Sequence, residues 1–227
     1  MTTLRDLEKA VDRLLELPAA RQLLQLNSAS CDRAFEAYVF SLCVSAVTDA
    51  GGTATLTGIR SGPNPQVVVF RGAPGQMSSR DQDFCYAVCR VGRKDFEIHV
   101  DVTFEGQSGA AHEIDVSIVD AIHARHVRST RRLPRTNKHL ICAFECKFYT
   151  STPGVALART FVGLTRDCSA NRLDGFVANR SAFGIDQYLS TSWAPKPFTD
   201  LTPVTPTAER RFVANLEQVL RQWAFAR

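Results

Sequence analysis

Glu145 and Lys147 stand one residue apart in the stretch 139–149, HLICAFECKFY, which is otherwise almost entirely apolar. A strand turns its side chains with period two, so both charges project from one face, together with Ile141, Ala143 and Tyr149. Leu140, Cys142, Phe144, Cys146 and Phe148 are expected on the opposite face, towards the core. Charges in a half-buried strand cost free energy unless they are paired, bound to a metal or put to use. An intrastrand ion pair at a sheet edge satisfies the first condition, and a reactive site satisfies the other two.

The strands that would position such a site lie upstream. In 112–121, HEIDVSIVDA, Ile114, Val116 and Ile118 alternate with Glu113, Asp115 and Ser117. Asp115 falls in mid-strand between β-branched neighbours, where Asp is disfavoured. The segment 96–104, FEIHVDVTF, alternates in the same way, and Gly106 to Gly109 reads as the hairpin turn between the two. Three consecutive strands result, and the second and third each carry an acid at an interior position. Glu113 shares a face with Asp115 and competes with it if the register differs. Asp101 and His99 share one face of the preceding strand and are expected to meet solvent, and Asp120 reads as a turn residue.

With Asp115 on the second strand and Glu145-Cys146-Lys147 on the third, the chain resembles the PD-(D/E)xK nuclease superfamily, with Ile114 where the name has Pro. The resemblance spans roughly residues 30 to 180. It implies an α/β, restriction-endonuclease-like αβββαβ core with a mixed central sheet flanked by helices. Glu36, in the helix expected over 33–49, stands where many members carry a further acid, and the helix after the third strand is expected over 155–168. The resemblance further implies a Mg2+-dependent DNA endonuclease in which Mn2+ substitutes for Mg2+. Asp115, Glu145 and the Cys146 carbonyl would supply oxygen ligands, and Glu36 would hold a second metal or its water. Lys147 would orient or deprotonate the attacking water. Restriction or defence against foreign DNA, and a homodimer, are expected by analogy only. A catalytically silent nucleic-acid or partner-binding module and an RNA-directed nuclease are the alternatives.

Composition sets the remaining bounds. A chain of 227 residues suits one domain over 29–227 preceded by a helical segment over 1–28, with a break near Pro18. The N-terminus lacks the apolar core of a signal peptide, no apolar run spans a membrane, and seven cysteines suit a reducing cytoplasm. The pairs Cys85/Cys89 and Cys142/Cys146 lie in strands, where residues four apart are about 13 Å apart, too far to share one zinc ion. They are expected to be small core residues. Residues 121–139 hold Arg125, Arg128, Arg131, Arg132, Arg135 and Lys138, three His and no acid. Their charge of +6 leaves −2 for the rest of a chain whose net charge is +4. This stretch joins the strands of Asp115 and Glu145, so it is expected as a basic loop close to both, contacting DNA phosphates. Gln66 to Phe70 and Phe84 to Val91 read as further strands, 72–83 as a mobile polar linker, and 174–178 as the strand after the helix. Residues 193–206, with four prolines, read as an irregular connector, and 207–225 as a final amphipathic helix.

Overall fold

The structure, a computed structural model, describes residues 2–16, 31–136, 139–151, 154–190 and 195–226. Its spine is the helix α2 (Cys31–Asp49), which is apolar on nearly every side and is enclosed accordingly, with Phe35, Tyr38, Val39, Phe40 and Leu42 buried. It packs between α1 (Leu4–Leu14), α6 (Pro206–Phe225) and the sheet. A capping box starts α1: Thr3 Oγ1 accepts the Asp6 N–H at 3.3 Å, and the Asp6 carboxylate accepts the Thr3 N–H at 2.8 Å. Gly51, at φ +77°, turns the chain out of α2. The junction between the expected helical segment and the domain, with the break near Pro18, lies outside the described residues, whereas Leu7, Ala10 and Val11 of α1 join the main core.

The strands are β1 (Thr53–Gly58), β2 (Gly62–Pro63), β3 (Cys85–Val91), β4 (Lys94–Glu105), β5 (Ala111–Asp120), β6 (Leu140–Lys147), β7 (Leu173–Ala178) and β8 (Lys196–Phe198). They form one mixed sheet in the order β2-β1-β3-β4-β5-β6-β7-β8, antiparallel as far as β6 and parallel across β6, β7 and β8. The connection α4 (Val155–Asp167) allows β7 to run parallel to β6. Adjacent residues enter different apolar clusters, such as Phe144 with the α2 side and Ala143 with the side of α3 (Ala121–Thr130), so helices cover both faces. The protein is an α/β protein with a mixed eight-stranded sheet flanked by helices.

Two irregularities shape the sheet around the candidate residues. Ile118 pairs with Cys142 while Val119 pairs with Leu140, so Ile141 is the extra residue of a β-bulge. The bulge reverses the expected sidedness ahead of it: Ile141 joins the α2-side core and Leu140 the cluster containing Ala143. The second irregularity is Asp101, at φ +50° in the middle of β4. Phe96, Ile98 and Val100 before it enter the main core, whereas Val102 and Phe104, of the same parity, enter the other cluster. Across the ladder, Val116 and Ile114 divide in the same manner, so the β4–β5 hairpin changes its packing partners at Asp101 and Asp115.

Several expectations are corrected. Gln66 to Phe70 is not a sheet strand; its one ladder contact is the bridge between Val69 and Phe84. Val68, Val69 and Phe70 are apolar because they pack, with Phe70 edge-on to Phe40 at 5.0 Å. The segment 72–83 is tied down, since Gly75 bridges to Val102 and Asp83 accepts the Arg60 N–H at 2.6 Å. The basic stretch is not a simple loop but contains α3, and Asp120 is its N-cap, accepting the N–H groups of Ile122 and His123. The proline-rich connector contains β8, where Pro197 is tolerated because the strand is an edge; α5 (Phe183–Leu189) and β1 have no counterpart among the expected elements.

Candidate active site

The β5–β6 ladder ends at the pair Val116 and Phe144. Beyond it the Asp115 side chain substitutes for a ladder partner, its Oδ2 accepting the Cys146 N–H at 2.7 Å and meeting Lys147 Nζ at 3.3 Å. Lys147 Nζ also lies 2.7 Å from Glu145 Oε1. The ammonium therefore bridges the acid of the second strand and that of the third. Burial works against its charge, but Asp115 and Glu145 outweigh that and hold its pKa well above the ordinary lysine value. Glu145 is pushed up to about 7, mainly by burial and then by Asp115, with Lys147 opposing.

Glu36 reaches this point from the first turns of α2. Its carboxylate and those of Asp101 and Asp115 offer oxygens all within 4.8 Å of one another, and all three residues are buried. Burial, then repulsion from Asp101 and Asp115, pushes Glu36 up to about 9. Asp101 is pushed up to about 7 by burial, against the pull of Arg33, whose Nη1 lies 2.7 Å from Asp101 Oδ2 and 3.3 Å from Glu36 Oε2. Asp101 Oδ1 is buried and has no hydrogen-bond partner among the described residues. Three hard oxygen donors at close quarters, two with raised pKa values and one with an orphaned oxygen, match the donor set of a Mg2+ or Mn2+ ion. Near Lys147 and Glu145, the Tyr149 hydroxyl is likewise buried without a partner among the described residues.

Of the residues expected from sequence, Asp115, Glu36 and Lys147 converge. Glu145 turns to Lys147 and is not part of the close group of three, and Cys146 meets Asp115 through its N–H. Glu113 is exposed. Asp101 and His99 overturn the expectation that they face solvent: they are 0% and 4% exposed. Asp101 escapes parity arguments because these assume regular backbone; the signal for it is an Asp between two β-branched residues, Val100 and Val102, as at Asp115. Arg33, one helical turn before Glu36, carries no comparable signal in the sequence.

The basic residues separate. Arg128 is committed to Glu97, with Nη2 to Oε1 at 2.7 Å, and Arg135 Nε pairs with Glu105 at 3.0 Å. Arg125, Arg131 and Arg132 are exposed and have no ion pair among the described residues, and Lys138 lies outside them. The stretch does not begin and end at the acids: Asp120 and Leu140 are each five residues from Asp115 and Glu145, roughly 16 Å at strand rise. The seven cysteines are free thiols, and six are buried as small core residues. No helix among the described residues is long and apolar enough to cross a membrane.

Fold and site together define an α/β protein with a buried carboxylate group and a lysine at the point where two central strands part. In comparisons with known proteins, the chain matches no family model, no curated protein and no solved structure.

Proposed function

We propose that the protein is a metal-dependent DNA endonuclease of the restriction-endonuclease-like fold. The reading is supported by element order: α2, the antiparallel β4-β5-β6, α4, and β7 parallel to β6 follow the αβββαβ sequence once β1 to β3, which follow α2, and α3, between β5 and β6, are taken as additions. The observation that carries it is the Lys147 ammonium held between Asp115 and Glu145 beside the carboxylates of Glu36 and Asp101.

Asp115, Asp101 and Glu36 would hold a divalent cation, Mg2+ or Mn2+, with Glu145 available from the adjoining strand. Such an ion polarises the phosphate and offsets charge that develops on it. Lys147 is protonated while both carboxylates face it, so it acts first as a donor: it orients the attacking water or a phosphate oxygen. The water adds to phosphorus as one P–O ester bond breaks; the proton it gives up is balanced by the one the leaving oxygen takes up, so the products are a phosphomonoester and a free hydroxyl. Burial of the carboxylates keeps bulk water from screening these charges. The exposed Arg125, Arg131 and Arg132 suit contacts with DNA phosphates. A cytoplasmic role in restriction or defence, and a homodimer, belong to the same reading by analogy.

One observation favours a silent binding module instead. Arg33 already neutralises part of the acid group, as a purely structural site would require. The deciding experiment incubates purified protein with supercoiled plasmid and with circular single-stranded DNA, in Mg2+, Mn2+ and EDTA, beside Lys147→Ala and Asp115→Ala. Metal-dependent cleavage lost in both variants, with folding intact, supports the nuclease. Cleavage at full rate in Lys147→Ala removes the proposed site, and binding without cleavage in any metal supports the silent module. Preferential competition by RNA would reassign the substrate.

A further inference from the structure

The segment 75–81 and α3 line a groove of about 960 Å³ that the hydrolytic chemistry leaves unused. Arg80 comes from the segment, Arg125 and Arg128 from α3 and Arg131 from its C-cap; Asp81 is the one acid among the lining residues. Two of the lining groups are fixed from beneath. Arg128 grips both carboxylate oxygens of Glu97 and stands 4.9 Å from the Tyr86 ring centroid. Tyr86 is stacked on the buried His99, at 5.0 Å and 9° between planes, and His99 Nε2 lies 2.9 Å from the same Glu97. A buried, fully connected polar network of this kind holds the surface side chains above it in one geometry. Arg125 and Arg131 are different: they are exposed and carry no ion pair among the described residues. Arg80 is also exposed, and its guanidinium makes one long contact, 3.4 Å to the Ile59 carbonyl.

The groove and the acid group lie on opposite faces of the sheet: Tyr86 and His99 face α3, whereas Asp101, where β4 changes its packing partners, faces Arg33 and Glu36 of α2. The register of β3 and β4 sets Tyr86 beside His99, and Asp101 comes two residues along β4, about 7 Å on. Gly75, which lines the groove, donates its N–H to the Asp101 carbonyl at 3.1 Å. Guanidinium groups on two walls around a partly exposed aromatic ring are the elements that hold a single nucleic-acid strand, phosphates on the arginines and a base face against the ring. The volume lies at the top of the range of small-ligand pockets, more than one phosphate needs. A duplex, a rigid cylinder with its bases stacked inside, does not enter a cavity of this size.

We infer that this groove binds one strand of nucleic acid, on the face of the sheet opposite the acid group, so that the substrate is a single strand or carries a single-stranded overhang rather than being continuous duplex. The inference rests on the nuclease reading and names its substrate class. Phosphodiester chemistry is common to DNA and RNA, so both enter the test.

The test measures anisotropy of labelled oligonucleotides on the full chain in EDTA. The probes are single-stranded DNA, the same sequence as RNA, and blunt duplex DNA, with wild type and the double variant Arg125→Gln/Arg131→Gln. Both substituted side chains are exposed and form no ion pair among the described residues, and an unchanged thermal midpoint verifies the fold. A strand of either sugar should bind at least ~10-fold tighter than duplex, and the double variant should lose about 10-fold in strand affinity, with its log K against log salt slope reduced by about 1.4. Equal affinity for duplex, or strand binding indifferent to the double substitution, overturns the inference. If Lys147-dependent cleavage persists alongside that indifference, the groove assignment fails and the nuclease stands. Strand binding as expected with no Lys147-dependent cleavage of plasmid or circle overturns the nuclease reading, and with it the groove's role as a substrate-binding site.

Discussion

Glu36 makes the metal-free protein less stable as pH rises, and the size of the effect can be worked from its surroundings. Its pKa is pushed up to about 9 in the folded state, by burial and then by Asp101 and Asp115, from an ordinary value of 4.5. A group whose folded pKa is raised contributes stability that is complete below the unfolded value and is lost as pH climbs through the folded one. Between those limits the native state holds one proton more than the unfolded chain, so unfolding free energy falls by about 1.4 kcal/mol per pH unit. From pH 6 to pH 8 Glu36 alone accounts for on the order of 3 kcal/mol. Asp101 and Glu145, both pushed up to about 7, add to the fall over the lower part of that window. Urea unfolding in EDTA at pH 6, 7 and 8 measures it, with Glu36→Gln as the comparison. The variant should lose about half of the slope between pH 7 and pH 8, the remainder coming from Asp101, Glu145 and Asp174, each pushed up to about 7. Mg2+ should restore wild-type stability most strongly at pH 8, because a cation competes with the proton for the same oxygens. Parallel pH profiles for wild type and Glu36→Gln, with no effect of Mg2+ at pH 8, would refute both the burial argument and the cation site.

Neutralising Arg131, Arg132 and Arg135 together should weaken nucleic-acid binding and flatten its salt dependence, but by about two contacts rather than three, because Arg135 is paired with Glu105; binding titrations across salt concentrations measure this. Arg128→Leu strands the buried Glu97 carboxylate and should cost about 3 kcal/mol, a fall of roughly 10 °C in thermal midpoint. Burial raises the Glu97 pKa, but its bonds to Arg128 and His99 prevail and take it to about 2, so its stabilisation is present above the unfolded value and lost as pH falls towards 2. The same variant should therefore unfold at a higher pH on acid titration, as monitored by circular dichroism. Tyr149→Phe removes a buried hydroxyl that has no partner among the described residues and should leave stability unchanged or raise it by about 1 kcal/mol in urea unfolding; a loss of more than about 2 kcal/mol would mean the hydroxyl is bonded.

The sheet is legible in the sequence wherever the strands are regular. Alternation locates β3 to β7, and the near-continuous apolar pattern locates α2, because burial of one or both faces writes directly into residue type. What escapes is irregular backbone. The positive φ of Asp101 and the bulge at Ile141 each change which residues share a face, and neither changes composition. The rule that assigns Asp101 to solvent holds only while φ stays negative. Gln66 to Phe70 has a strand's composition because Val68, Val69 and Phe70 are buried, Phe70 beside Phe40, yet only one of its residues has a bridge partner. Charge counts fail in a similar way: six basic residues in 121–139 are visible in sequence, but only coordinates reveal that Arg128 is committed to Glu97 and Arg135 to Glu105.

The distinction between an enzyme and a silent module turns on how well the acid group is satisfied. A site kept only for folding tends towards complete pairing, since each buried unpaired polar atom costs about 1–3 kcal/mol. Glu97 meets that standard: both its oxygens are bonded, by Arg128 and His99, and its pKa falls to about 2. The acids around Asp115 do not. Arg33 reaches Asp101 Oδ2 and Glu36 Oε2, but Asp101 Oδ1 is left without a partner among the described residues, and Glu36, Asp101 and Glu145 all have raised pKa values. One chain therefore holds two buried acidic centres that share the strand β4, one electrostatically complete and one in deficit of positive charge. The deficit lies where the β5–β6 ladder opens and Lys147 is held, which is where a cation and a phosphate together would supply what the protein lacks.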